Sequence, residues 1–218
     1  MNSKLKQVFT IIPLFGILIF VLLYIVATLY YPGGSQTDMH SIDFNWINNY
    51  WCNLLSENSM NGQPNPALPI AVTATIVLCL SLAIFWYNFP KRVGFEKFAR
   101  LAIQFSVAIS MLLGILVFTG LQDSLITAAI LIGTIPLMGT FIALFKLKWR
   151  GLFWFGIFNI VLIVVNNILY FGLDIKFYLP IVQKITFLLF LLWISLIDIS
   201  LNKWELKRQA VEACSKSE

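Results

Sequence analysis

Residues 8–31 read VFTIIPLFGILIFVLLYIVATLYY and contain no charged side chain. A helix needs about 20 mostly apolar residues to cross the hydrocarbon core of a bilayer, and this stretch exceeds that length. It is also longer than the roughly 7–15 apolar residues of a secretory signal peptide, and no small-residue cleavage site follows it. The stretch therefore predicts an uncleaved first transmembrane helix.

Five further stretches meet the same requirement of length and apolarity. They are residues 68–89, 101–120, 125–145, 151–171 and 179–201. Apolar residues make up 59% of the chain and charged residues 11%, against about 45–50% and about 25% in soluble domains. A soluble fold of this size could not bury so much apolar surface. We predict an all-α bundle of six transmembrane helices that forms one membrane domain over residues 1–218.

The distribution of Lys and Arg predicts the orientation in the membrane. Thirteen of the fifteen basic residues lie in the N-terminus, the second and fourth loops and the tail at residues 202–218. The first loop, residues 32–67, and the third loop contain none. The positive-inside rule then predicts that both termini are cytoplasmic. Since the basic residues lie at the ends of apolar runs, the net charge of +5 indicates the lipid bilayer, and no nucleic acid, as the partner.

The first loop is much longer than the other connections, which is typical of a functional or a disordered segment. Within it, apolar residues recur at helical spacing and asparagines fill the opposite face. The apolar set is Phe44, Ile47, Trp51, Leu54 and Leu55. We predict a short amphipathic helix in this extracytoplasmic loop, lying in the outer interface or over the mouth of the bundle.

Asp38, His40 and Asp43 of the first loop form a weak candidate for a metal site. Two carboxylates and an imidazole are suitable ligands, but a catalytic zinc site needs three ligands in a fixed geometry. The favoured interpretation is an exposed polar loop that makes turns and caps a helix. We expect no metal and no cofactor.

A second set of polar residues falls inside or beside the apolar stretches, on the outer side. The predicted ligand-binding residues are Lys184, Asn166, Asn167, Gln183, Asp123 and Asp43. A buried lysine is costly in a membrane unless it is paired or reaches the interface. One interpretation is an outward-open polar pocket in which Lys184 binds an anionic head group or substrate. The other is that Lys184 extends to the interface while the asparagines bond neighbouring helices.

Asp198 lies near the inner end of the sixth stretch. Its neighbours Asn202 and Lys203 indicate pairing at the interface. No second acid lies in another predicted span, which disfavours a proton relay. In the fourth stretch, Ala129 and Gly133 are spaced as a small-xxx-small pair and predict close helix packing, as does Gly16 in the first.

Several enzyme classes are excluded by the residues present. A single histidine cannot supply a histidine pair or a three-histidine metal site, no Ser/His pair lies on the predicted spans, and no phosphate-binding Walker loop occurs. Enzymatic activity stays open as a third, disfavoured class.

Two motifs of the first loop carry a resemblance to a known family. Tyr31-Pro-Gly-Gly34 follows the first stretch, and Trp46-Ile-Asn-Asn-Tyr-Trp-Cys-Asn-Leu-Leu55 precedes the second. The chain resembles domain-of-unknown-function family 998, small bacterial membrane proteins of about six spans. The resemblance implies a bacterial inner-membrane location and an architecture, but no activity. At Asn53 the chain departs from the acid expected in that family's motif.

Two functions are left open by the sequence. The first is binding or transport of a small anionic or lipid-like ligand from the outer side. The second is a non-catalytic structural or accessory subunit that docks a membrane protein partner through the first loop. We favour the first, because a scaffold would have no use for Lys184 and the asparagine pair.

Overall fold

The computed structural model describes residues 3–116, 122–171 and 176–214 of the 218. The described residues form six long helices, which are α1 Ser3–Thr28, α2 Leu68–Val93, α3 Lys97–Ile115, α4 Gln122–Lys146, α5 Arg150–Phe171 and α6 Leu179–Cys214. Each contains a segment long and apolar enough to cross a membrane. The prediction of an all-α, six-helix, multipass membrane protein is confirmed.

The helix ends differ from the predicted spans at several positions, among them the ends of α1, α2 and α6, and α3 begins at Lys97, four residues before its predicted span. The first helix ends at Thr28, three residues before the apolar run does. The second continues through Pro90 to Val93, because a proline in the last turn removes only one intrahelical hydrogen bond. Gly94 then ends it in the left-handed conformation, with φ of 82°. The sixth helix continues for thirteen residues beyond position 201, as far as Cys214.

Small residues stand where neighbouring helices cross, as predicted. A Cβ atom on Gly16 of α1 would lie 1.6 Å from the hydroxyl oxygen of Ser81 on α2. Between α3 and α4, the Ser110 hydroxyl donates a hydrogen bond of 2.7 Å to the carbonyl of Ala129. The position of a Cβ on Gly133, one turn later, would be 3.2 Å from that same hydroxyl oxygen. Glycine and alanine therefore permit the close approach that lipid-embedded helices use for packing.

The helices pack largely in chain order, and α6 returns to contact α1 and so closes the bundle. Trp193 of α6 is fully buried, and its indole N–H donates a hydrogen bond of 2.7 Å to the Leu152 carbonyl of α5. The end of the bundle that carries residues 32–67 is called the loop face below. The opposite end, with the α2–α3 and α4–α5 connections, is called the basic face.

Candidate functional site

Residues 32–67 fold into a compact unit on the loop face, which we call the loop cap. Gly33 and Gly34 begin it with positive φ values of 129° and 81°. The Gly34 N–H donates a hydrogen bond of 2.8 Å to the Ser41 carbonyl. A Cβ atom on Gly34 would lie 2.3 Å from the backbone nitrogen of Asn61. Both the backbone conformation and the space therefore require glycine at this turn.

Asparagine side chains hold the loop cap together through backbone hydrogen bonds. The Asn49 amide donates to the Gly34 carbonyl at 2.8 Å and accepts from the Asn45 N–H at 2.8 Å. The Asn65 amide donates to three carbonyls at the other end of the cap. These belong to Asn53 at 3.4 Å, Leu54 at 3.3 Å and Ser56 at 2.9 Å. Buried backbone groups that lack helical partners are satisfied in this way.

The predicted amphipathic helix of the loop is reduced to a five-residue 3-10 helix, Trp51–Leu55. Of the predicted apolar face, Phe44, Trp51, Leu54 and Leu55 are buried. Ile47 differs, since it is exposed. The reason is that the Asn45 side chain accepts the N–H groups of Ile47 and Asn48, at 2.9 and 3.0 Å, and makes a turn there. Asparagine favours such turns over a helix interior.

Lys184 extends from the first turns of α6 to the underside of the loop cap. Its ammonium group donates a hydrogen bond of 2.5 Å to the backbone carbonyl of Asn49. Lys184 is only 7% exposed and Asn49 is fully buried. The ammonium also lies 5.8 Å from the centre of the Phe44 ring. Among the described residues, no carboxylate lies within ion-pair distance of this cation.

Aromatic rings surround the region beneath the loop cap. Trp51 packs edge-on against Tyr24 of α1 and Phe187 of α6, with centroid distances of 5.3 and 5.6 Å. Phe187 lies three residues after Lys184, on the same side of α6. Phe20 completes the cluster through Tyr24 and Phe187. The cation is therefore held at the boundary between the folded loop and an apolar, aromatic bundle interior.

Several buried polar atoms of the loop cap and of helices α5 and α6 lack a partner within the described parts of the chain. On the loop cap these are the indole nitrogen of Trp51 and the amide oxygen of Asn48. On the helices they are the amide oxygens of Gln183 and Asn166. Buried polar groups are normally hydrogen-bonded, so each of these atoms has capacity to bond a ligand or a water molecule.

The two predicted asparagines of α5 take different positions. The Asn166 amide donates to the hydroxyl of Thr186 on α6 at 2.6 Å, so it joins these helices. Thr186 is two residues beyond Lys184, which is about 200° around the helix. Asn167 is exposed, and its amide donates to the Ile163 carbonyl of its own helix at 2.9 Å. The structure therefore brings neither asparagine to the Lys184 ammonium.

The acidic candidates of the loop face do not surround Lys184 either. Asp43 is exposed and has a positive φ of 61°. The Asp38 carboxylate accepts the His40 N–H at 2.8 Å, which is the predicted turn. No group of three or more possible metal-binding side chains occurs among the residues described. The side chain of Asp123 lies outside the described part of the structure.

The predicted pairing of Asp198 at the interface involves a different cation, because Asp198 meets Arg92 of α2 and Lys203 is exposed. Arg92 of α2 donates to Asp198 at 2.9 Å and to both carboxylate oxygens of Glu205 at 2.9 and 3.1 Å. Its guanidinium also donates to the amide oxygen of Asn202. We call these four residues the Arg92 cluster. The spacing of positions 198, 202 and 205 places its α6 members on one helical face, which was the available signal.

In comparisons with known proteins, no family model, no curated protein and no solved structure matches this chain. The resemblance of its first loop to family 998 therefore stays a prediction. The candidate function accordingly depends on the geometry of Lys184 and the loop cap.

Proposed function

We propose that this protein binds a small anionic or lipid-like ligand at the loop face, with Lys184 as the cation that attracts it. The observation that carries the proposal is the buried Lys184 ammonium, which has no carboxylate within ion-pair distance in the described residues. Burying a charge is costly unless it is paired. An anion bound beside Lys184 would neutralise this charge and provide hydrogen-bond acceptors.

The hydrogen-bonding capacity of the site supports an anion with several oxygens. The ammonium of Lys184 has three N–H donors, and one of them is used on the Asn49 carbonyl. The Trp51 indole N–H is a further donor without a described partner. The amide oxygen of Asn48, which precedes Asn49 in the loop cap, could accept a hydroxyl group. A phosphate or carboxylate next to hydroxyls, as in a glycerol phosphate head group, fits this set of partners.

Access to Lys184 would require the loop cap to move, because the Asn49 carbonyl and the Phe44 ring cover the ammonium. Transport, as opposed to binding, would require a further opening along α6. Leu191 lies two turns after Lys184 on the same side of this helix and is buried. We therefore place binding before transport in the proposal.

We further propose that both termini are cytoplasmic and that the protein lies in the plasma membrane of a bacterium. The orientation is supported by the thirteen basic residues of the N-terminus, the second and fourth loops and the tail. The bacterial location is supported by the resemblance in the first loop. On this orientation the ligand comes from outside the cell.

The test is ligand-dependent thermal stabilisation of the purified protein in a neutral detergent. Short-chain phosphatidylglycerol, glycerol phosphate and short-chain phosphatidylcholine are the three probes. We expect stabilisation by the first, and by the second if the head group suffices, but not by the zwitterionic lipid. A bound ligand at about 100 times its Kd stabilises by about 2.7 kcal/mol.

The decisive comparison is between variants of two lysines. Lys184→Met should abolish the stabilisation and Lys184→Arg should keep part of it. Lys91→Met is the matched control, since this lysine is exposed at the opposite face. Equal stabilisation of Lys184→Met and the unaltered protein would refute the proposal.

An accessory role remains the second candidate and rests on a different observation. The loop cap exposes several large apolar side chains to solvent, namely Met39, Ile42, Trp46 and Ile47. Large apolar side chains exposed on one folded unit favour contact with another protein or with lipid. Replacing Ile42 and Ile47 with Ser should release a co-purifying membrane protein on this alternative, and should leave lipid stabilisation unchanged on the first.

A further inference from the structure

The Arg92 cluster is a polar site at the basic face that the proposed ligand site does not use. Arg92 comes from the last turn of α2, and its three partners come from consecutive turns of α6. The side chain of Asp198 is 1% exposed, whereas those of Arg92 and Glu205 are 13% and 29% exposed. The cluster thus runs from the bundle interior at Asp198 to the solvent-accessible edge at Glu205.

The charges of the cluster do not balance. With every group ionised, one guanidinium faces the two carboxylates of Asp198 and Glu205. Burial disfavours the charged form of a carboxyl group most strongly where no water can reach it. Asp198 is the more buried of the two. It is therefore the carboxyl at which the excess negative charge is hardest to accommodate.

One of the two carboxylate oxygens of Asp198 has no hydrogen-bond donor in the described residues. Its Oδ1 accepts from Arg92, while its Oδ2 is buried with no partner in the described residues. The nearby oxygens of Asn202 and Glu205 all accept from the same guanidinium. A carboxylate oxygen that is buried and receives no donor is costly, and a proton at Oδ2 would remove that charge.

We propose that Asp198 is a proton-binding site of this protein, with the proton carried on Oδ2 while Oδ1 stays bonded to Arg92. The proton is transferred from a hydronium ion at the basic face, so an O–H bond of hydronium breaks as the Oδ2–H bond forms, and release to water reverses both changes. This site is independent of the anion site at Lys184. It needs no second acid in another helix, because the proton exchanges with solvent and is not passed through the bundle.

A metal cation fits the same position less well. Sodium or calcium requires several oxygen ligands, and only one oxygen of the cluster is without a donor. Two charged groups lie close to Asp198. They are Arg92 from α2 and Glu205, which follows Asp198 by about two turns on the same face of α6. Lys203 and Arg208 of α6 are exposed. The described side chains of α1, from residue 11 onward, and those of α5 make no ion pair with Asp198.

Infrared difference spectroscopy on the purified full chain tests the proposal, because a protonated carboxyl has a separate C=O stretching band. The pH is changed from about 8 to about 6, where an exposed carboxyl with pKa of about 4 remains ionised. We expect a protonated-carboxyl band to appear in the unaltered protein. Asp198→Asn should abolish this band. Asp43→Asn, which removes an exposed carboxyl of the loop face, should retain it. Glu205→Gln leaves Asp198 as the only carboxylate that faces Arg92, so in this variant the band should appear only at lower pH.

A second variant of Asp198 keeps the proposal testable if Asp198→Asn does not fold. Asp198→Glu retains a carboxyl in the cluster and should shift the band instead of abolishing it. Absence of the band in the unaltered protein, or its persistence in Asp198→Asn, would overturn the proposal. So would a band that changes with sodium concentration at constant pH, because this would identify a metal cation as the ligand.

Discussion

Gly16 of α1 and Ser81 of α2 touch so closely that a Cβ atom on the glycine would lie 1.6 Å from the serine hydroxyl oxygen. This contact fixes the distance between the two helices with the most extensive packing in the bundle. Gly16→Ala must therefore move a helix or a side chain, and overpacking of this kind costs about 1–3 kcal/mol. We expect a lower thermal midpoint in detergent for this variant.

The control for Gly16 is Gly151→Ala, because no atom lies within 4 Å of a Cβ at that position. Adding Ser81→Gly to Gly16→Ala should restore part of the stability, since it removes the atom that collides. Equal midpoints for Gly16→Ala and Gly151→Ala would contradict the contact.

Gly34 and Gly62 of the loop cap form a matched pair for separating backbone strain from collision. Their φ values are 81° and 82°, but a Cβ on Gly34 would collide with the backbone of Asn61 and one on Gly62 would meet nothing. Alanine in the left-handed conformation costs roughly 1–2 kcal/mol at either site. Gly34→Ala should therefore be clearly more destabilising, as measured by hydrogen exchange of the cap amides. Similar exchange in both variants would show that the turn is not closely packed.

Asn65 carries more of the loop cap's hydrogen bonding than its exposed neighbour Asn58. Asn65→Ala removes bonds to three carbonyls and to the Ala67 N–H. A buried group left without its partner costs about 1–3 kcal/mol. We expect faster protease cleavage of the cap in Asn65→Ala than in Asn58→Ala. Should both variants be cleaved at the same rate, the cap is held by its apolar contacts.

Arg92 and Lys91 are adjacent basic residues with different roles. Arg92→Gln leaves the carboxylates of Asp198 and Glu205 without their cation, and removal of one partner of a buried ion pair costs about 3–5 kcal/mol. Lys91 is exposed, so Lys91→Gln should change stability by less than about 0.5 kcal/mol. Urea unfolding of the two variants measures the difference.

The loss of stability in Arg92→Gln should also depend on pH. Protonation removes the charges that Arg92 would otherwise balance, so the variant should approach the unaltered protein as the pH falls. A loss that grows on acidification would contradict the role of Arg92 as their counter-ion.

The orientation can be tested with single cysteines in a background without native cysteines. Asn58→Cys lies on the exposed part of the loop cap and Lys203→Cys on the exposed part of α6 at the basic face. If the termini are cytoplasmic, a membrane-impermeant thiol reagent added to intact cells should label only the first. Labelling of Lys203→Cys alone would reverse the orientation.

The helices could be predicted from the sequence because an uninterrupted apolar run leaves the backbone few alternatives in a bilayer. Their ends were less predictable. Helix α6 continues to Cys214 because its charged residues favour a helix as much as its apolar ones do, and apolarity alone marks only the membrane-embedded part.

The site was harder to predict, since its contacts join distant positions. Lys184 was a candidate from the sequence, but its partner Asn49 lies 135 positions earlier and contributes a backbone carbonyl, which no residue type reveals. Arg92 was interpreted only through its effect on orientation. Its partners at positions 198 and 205 become evident once α2 and α6 are known to be neighbours.

The asparagine hydrogen bonds of the loop cap have a consequence for the environment in which it can exist. The cap contains a single cysteine, Cys52, so no disulfide within it contributes to its fold. Amide hydrogen bonds are insensitive to thiol reductants, whereas many extracellular loops depend on an oxidising compartment. The loop cap should thus keep its shape, and any ligand affinity that follows from it, under reducing and oxidising conditions alike.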